Sequence, residues 1–247
     1  MLLSTQGLVL HTTKYAESSI VAKIFTRELG LCSYIIKGVR NKNGRNKQNL
    51  LQPLSHLDMT VYNNPKKQLQ YIKEMHPSAQ YGTLHTDAVK MALVFFMDEV
   101  LYKSLKEAEP NQPLFDYALE RLAQLNSSDG AASFPIDFLI HTARHLGIAP
   151  LDNYSRREPL FNLKEGRFLA SPSVVSSQTS DADYFLDTLS STNFHYCLSC
   201  SLSNTPMSQL SSSQRNSTLN NLLEYYHVHL SDFHNFTSHE ILHAVLR

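Results

Sequence analysis

Apolar residues recur along this chain with two periods, and the change from one to the other falls near residue 80. Before it, short runs rich in β-branched and aromatic side chains at residues 7–13, 20–26, 31–37, 57–63 and 68–75 are separated by turn signals, which is strand composition. From Leu57 to Tyr62 the apolar residues fall on every second position, so one face is buried and the other is wet. Asn63-Asn64-Pro65-Lys66-Lys67 reads as a hairpin connection. Five short strands with a long connection between the third and fourth predict a small closed or nearly closed barrel of the OB type. A meander packed on the helices that follow satisfies the same pattern.

From residue 83 the spacing becomes three and four. Leu84, Ala88, Met91, Ala92, Phe95, Phe96, Glu99 and Tyr102 mark one face of a helix that runs to Leu105 without Gly or Pro. A second helix is predicted over 113–125, with Leu114, Tyr117, Ala118, Arg121, Leu122 and Leu125 on one stripe. Ser133 before Phe134-Pro135 reads as an N-cap, and Gly147 as the glycine that ends that helix. Residues 148–180 are rich in Ser, Pro and Asn, with one hairpin at 161–168; helices are predicted again over 181–190, 214–230 and 238–246. The predicted fold class is α+β: an N-terminal five-stranded OB-like β-barrel over 1–80, then an all-α helical domain over 81–247 with an irregular insertion at about 148–180.

The 247 residues are 42% hydrophobic, enough for one large core or two smaller ones. The net charge of zero hides an asymmetry: residues 1–80 carry +7 and the remainder −7. Much of the positive charge is concentrated between Lys37 and Gln48, where Lys37, Arg40, Lys42, Arg45 and Lys47 occur with no acidic residue anywhere between Glu28 and Asp58. Gly38, Gly44 and the asparagines among them predict a mobile loop. Five like charges held close together repel one another unless a polyanion or counterions offset them. A solvated loop that only aids solubility is the competing reading.

Other chemistry finds little support. Cys32, Cys197 and Cys200 are too few for a disulfide framework, which points to a reducing cytoplasm. No signal peptide or apolar run of membrane-spanning length is visible, so no membrane association is expected. Cys197-Leu-Ser-Cys200 lacks the two further ligands of a zinc site and reads as a pair of small hydrophobes. His141 with His145, and His239 with His243, have no glutamate of a metalloprotease motif between them. With eight glycines and no phosphate-binding loop, with no nucleophile elbow, and with Asp181-Ala-Asp183 reading as a helix start, neither an enzyme nor a bound cofactor or metal is expected. What remains is a basic module interleaved with aromatics, Tyr15, Phe25, Tyr34, Tyr62 and Tyr71, the combination with which barrels bind single strands.

Seven segments stand out in order along the chain: Gly7-Leu-Val-Leu-His-Thr-Thr-Lys-Tyr-Ala-Glu-Ser-Ser, Phe25-Thr-Arg-Glu-Leu-Gly-Leu, Lys37-Gly-Val-Arg, Leu50-Leu-Gln-Pro-Leu-Ser, His145-Leu-Gly-Ile-Ala-Pro, Phe161-Asn-Leu-Lys-Glu-Gly-Arg-Phe and Leu222-Leu-Glu-Tyr-Tyr-His-Val-His-Leu. Together they resemble the RecO family of bacterial recombination mediators. The resemblance implies an OB barrel followed by a helical domain. It implies binding of single- and double-stranded DNA, annealing of complementary strands, docking of the acidic C-terminal tail of single-stranded DNA-binding protein, and work with RecR to load RecA, in a bacterial, nucleoid-associated cytoplasmic setting. Many relatives carry a four-cysteine zinc finger where residues 151–173 here contain no cysteine. If that metal is lost, the 161–168 hairpin is expected to be held by packing alone.

The nucleic-acid contacts expected on this reading are Lys37, Arg40, Lys42, Arg45 and Lys47, extended by Lys14, Tyr15, Lys23 and Arg27. Arg121 and Arg144 are the expected rim of the partner-docking surface. The alternative function is a protein-interaction or RNA-binding scaffold built on the same barrel.

Overall fold

The computed structural model describes residues 1–39, 45–79, 81–84, 86–128, 132–171 and 184–245, with the backbone alone at Arg45, Asn46 and His243. The chain forms two compact units, Met1–Gly130 and Ala131–Arg247.

In the first unit, strands β1 (Leu2–Lys14), β2 (Ile20–Thr26), β3 (Gly30–Ile36), β4 (His56–Tyr62) and β5 (Leu69–Pro77) close into a barrel in the order β1-β2-β3-β5-β4. This is the OB arrangement, and it settles the choice between barrel and meander. β1 is long enough to pair with β2 and β4 at once, and Gly7 lies where both ladders meet, opposite Thr26 and Leu57. A Cβ on Gly7 would come within 2.6 Å of the Ile24 and Met59 side chains, so any larger residue there would force those two core side chains to shift. The interior is filled by Val9, Ala22, Ile24, Tyr34, Leu57 and Val61, the inward half of the alternation. The parallel seam of the barrel, β3 with β5, spans only Ser33–Ile35 against Leu69–Tyr71.

The stretch expected as a mobile loop carries a short helix, α1 (Arg45–Asn49). Glycine and asparagine content argued against a helix, but apolar anchors on either side override it: Val39 and Leu51 are buried in the barrel core and Leu50 packs against it.

The unit extends past residue 80 because α2 (Ala88–Ser104) and α3 (Gln112–Ser127) pack on the barrel. Asp87 caps α2 by accepting the Lys90 amide at 2.9 Å, so the helix starts at Ala88 rather than at residue 83. Its buried face also differs from the expected stripe. Leu93, Met97, Val100 and Leu101 are buried, whereas Met91 and Phe95 are exposed. The helix is apolar almost all round, so periodicity alone could not choose its face. On α3, Phe115 lies edge-on to Phe25 and His56, covering one end of the barrel. The connection between α2 and α3 covers the part of β3 that β5 leaves open: the Ala108 amide donates to the Leu31 carbonyl at 2.9 Å. Gly30, at φ +72°, allows this approach, since a Cβ there would lie 2.3 Å from the Glu109 carbonyl oxygen.

The second unit contains α4 (Phe134–His145), the hairpin β6 (Leu160–Asn162) and β7 (Arg167–Leu169), α5 (Thr188–Leu202), α6 (Ser212–His229) and α7 (Ser238–Val245). Ser133 precedes α4 but makes no side-chain capping bond. The other end follows expectation: Gly147 at φ +74° donates to the Arg144 carbonyl, and the Ile148 amide to that of Ala143, a Schellman closure.

The helix predicted over 181–190 is corrected. Asp181 and Asp183 lie outside the described residues, Phe185 bridges to Asn162, and the helix starts at Thr188 with Asp187 as its cap. α5 then runs through Thr-Leu-Ser-Ser-Thr-Asn, a poor helix former by propensity, because Phe194, Cys197 and Leu198 are buried.

The expectation that the hairpin is held by packing alone is also corrected. Phe161 and Phe168 do pack on each other and Phe161 on Phe194. Hydrogen bonds complete the anchorage. Asn153 donates to the Phe168 carbonyl and accepts the Phe168 amide at 3.0 and 2.8 Å. The Phe161 amide donates to Ser191 Oγ at 3.0 Å. Asp152 joins the segment to α5 through His195 Nδ1 at 2.6 Å and Ser199 Oγ at 2.8 Å.

Candidate nucleic-acid interface

The parallel seam is short, so β3 and β5 part company after Ile35 and Tyr71, and a groove of about 650 Å3 opens there. One wall is the end of β3 and the segment after it, with Ile36, Lys37, Lys47 and Leu50; the other is β5 from Tyr71 to His76, with Tyr62 from β4. Tyr62 and Tyr71 are direct cross-strand partners, and both rings are substantially exposed. Lys73 is the unpaired residue of a β-bulge, because Thr60 pairs with Glu74 and Val61 with Ile72. Such a bulge turns a side chain out of the regular pleat.

Charge and aromatic surface coincide here. Lys37 Nζ sits 5.6 Å from the centre of the Tyr71 ring, within cation–π range. Lys47 Nζ reaches the Lys37 carbonyl at 3.4 Å, which ties α1 to the end of β3. Glu74 is 3.6 Å from Lys73 and is the acidic residue of the lining. Flat rings beside ammonium groups over an apolar floor of Ile36, Leu50 and Met75 suit stacked bases with their phosphates at the rim.

The other expected contacts divide. Lys14 pairs with Ile20, which pairs with Ile36, so Lys14 is at the barrel end from which Lys37 emerges. Tyr15 follows in an exposed turn closed by its amide on the Ser19 carbonyl. Lys23 and Arg27 are engaged elsewhere. Lys23 Nζ meets Glu107 at 2.6 Å, and this hydrogen bond raises its pKa. Arg27 forms a bidentate pair with Asp116 at 2.8 and 2.9 Å, which pulls the Asp116 carboxyl below the usual range. Arg40 and Lys42, and the side chain of Arg45, lie outside what is described. Phe25 and Tyr34 are fully buried and offer no stacking surface.

Arg121 and Arg144 fall in different compact units, on α3 and α4. Arg121 donates to Gln124 at 2.7 Å and lies against the Tyr117 ring, while Arg144 is exposed. Cys197 and Cys200 are buried in α5, and burial pushes the Cys197 thiol up to about 12. Sequence reasoning passed over Lys73 and His76 as groove residues. Alternation along β5 would have put Lys73 on the side of Tyr71, but which strand lies across from it is a matter of topology.

The chain matches the family descriptions "Recombination protein O N terminal" over residues 1–81 and "Recombination protein O C terminal" over residues 85–156. Among curated relatives, it is 29% identical over 246 residues to the DNA repair protein RecO of Christiangramia forsetii, covering 99% of both chains. It is 32% identical over 169 residues to that of Flavobacterium johnsoniae, covering 68% of this chain and 71% of the relative. With that of Phocaeicola vulgatus it shares 29% identity over 243 residues, 98% of each chain. A barrel of OB topology with a cationic aromatic groove, these two family matches and relatives aligned over nearly the whole length agree, and the chain belongs to the RecO family.

Proposed function

We propose that this chain is a non-enzymatic recombination mediator in DNA repair that holds single-stranded DNA in the barrel groove. Lys37, Lys47 and Lys73 meet phosphates, and Tyr62 and Tyr71 stack on bases. The observation that carries the reading is the cross-strand pair Tyr62–Tyr71 with Lys37 over the second ring. Arg40, Lys42 and Arg45 lie between Lys37 and Lys47 in sequence and are assigned to the same phosphate contacts on their charge alone, and Lys14 and Tyr15 extend the path at that end of the barrel. Contacts of this kind position a strand without reading its sequence, as a mediator acting on any damaged site requires.

The further partners are double-stranded DNA, RecR, the acidic C-terminal tail of single-stranded DNA-binding protein and, indirectly, RecA, with strand annealing as the outcome. They rest on the family resemblance. Salt titration of single-stranded DNA binding tests the groove. Each lysine that neutralises a phosphate contributes about 0.7 to the slope of log K against log salt, so replacing Lys37, Lys47 and Lys73 by alanine should flatten it by about 2. An unchanged slope would remove the groove from the reading. Saturable binding of RNA or protein with none of DNA would favour the scaffold function instead.

A further inference from the structure

A second exposed aromatic ring occurs in the other compact unit, on the segment between α4 and β6, beside cations that form no ion pair among the described residues. Tyr154 lies flat on the His195 ring, with centroids 4.4 Å apart and planes 12° from parallel, and meets Phe168 at 87°. His195 is itself held in place, its Nδ1 on Asp152 at 2.6 Å, and the same carboxylate takes Ser199 Oγ at 2.8 Å. The platform is therefore built in advance: α5 and Asp152 fix the imidazole, and the imidazole fixes one face of Tyr154. The residue is still 36% exposed.

Two and three positions further on come Arg156 and Arg157, at the tip of a tight loop closed by the Ser155 and Glu158 backbones bonding each other. Both are exposed, and among the described residues neither is ion-paired. The nearest acid in sequence, Glu158, is taken by Asn153 at 3.1 Å. At no more than about 3.6 Å of chain per residue, both guanidinium groups stay within reach of the phosphates flanking a base on Tyr154. Adjacent arginines with no carboxylate partner repel each other, and a polyanion relieves that repulsion. An acidic peptide would satisfy the arginines but has no use for a preset flat ring, whereas every nucleobase has a face to stack.

We propose that Tyr154, Arg156 and Arg157 form a second single-stranded nucleic-acid contact, separate in the chain from the barrel groove. The proposal deepens the function proposed above and rests on it: a chain with two strand-binding surfaces can hold two strands at once, which pairing them requires.

The test uses the full chain and two non-complementary single-stranded oligonucleotides, one on beads and one fluorescent. The unaltered protein is expected to carry the fluorescent strand onto the beads. The double variant Arg156→Glu with Arg157→Glu, and separately Tyr154→Ala, should still bind the bead strand with affinity within about threefold but lose most of the captured fluorescence. Far-UV circular dichroism and the melting temperature identify any variant that fails to fold, and Arg156→Lys with Arg157→Lys should retain much of the capture. Capture undiminished in the folded variants overturns the proposal. A barrel variant, Lys37→Ala with Lys47→Ala and Lys73→Ala, separates the two readings. If it binds the bead strand like the unaltered chain while the arginine variant binds nothing, the barrel assignment fails and the second contact stands.

Discussion

Arg27 and Asp116 form a two-bond fork, Nε to Oδ1 at 2.8 Å and Nη2 to Oδ2 at 2.9 Å, that joins the turn after β2 to α3. An arginine that looks available for phosphate in the sequence is thereby committed within its own unit. Lys23 is committed in the same way to Glu107. Replacing Arg27 and Lys23 by glutamine should therefore change single-stranded DNA affinity by less than about twofold, whereas the groove lysines should change it strongly. Anisotropy at fixed salt compares the two sets, and a large loss from the Arg27 and Lys23 pair would return them to the strand path.

Gly30 tests the closure of the barrel edge. Its left-handed backbone disfavours a side chain by about 1–2 kcal/mol, and crowding against the Glu109 carbonyl adds about 1–3 kcal/mol more. Gly30→Ala should lower the midpoint of urea unfolding accordingly. Gly82→Ala, where an added Cβ meets nothing within 4 Å, should stay within about 0.5 kcal/mol of the original.

His56 makes the first unit sensitive to acid. Buried against Phe115, it has its pKa lowered from the ordinary value of 6.5 by burial, partly offset by Asp58. The unfolded chain then binds a proton at a pH where the folded chain does not, so stability falls as pH drops below about 6.5 towards the folded-state value. Thermal melts at pH 7.5 and 5.5 should show a smaller acid loss in His56→Phe than in the unaltered protein. Equal losses would remove His56 as the cause.

The Asp152–His195 contact should matter locally. Asp152→Asn removes the charge from two hydrogen bonds, at a cost of about 1–3 kcal/mol. Hydrogen exchange should quicken first at Phe168 and Leu163, whose amides donate to Asn153 Oδ1 and the Tyr184 carbonyl on either side of the hairpin. Faster exchange spread evenly over α4 and α6 would mean that the contact stabilises the unit as a whole.

Strand positions were legible because the alternation in residues 57–62 reports burial on one face directly, and β4 occupies that stretch. The hairpin at 161–168 was legible from its turn residues, and Gly166 has the positive φ such a turn needs. α2 was legible as a helix but not in its facing, since apolar residues surround it. α5 was illegible because serine and threonine propensity pointed away from a helix that burial of Phe194 and Leu198 enforces.

The candidate site divides in the same way. Charge segregation in the sequence alone singled out residues 37–48 and a basic first part of the chain, because like charges without acidic partners are visible wherever they fold. Which cations remain available was decided by tertiary structure. Lys23 and Arg27 met Glu107 and Asp116, distant in the chain, while Lys37, Lys47 and Lys73 were brought around Tyr62 and Tyr71. A short parallel seam between β3 and β5 produced that gathering, and pairing between residues 36 positions apart, Ser33 with Leu69, leaves no local trace in a sequence.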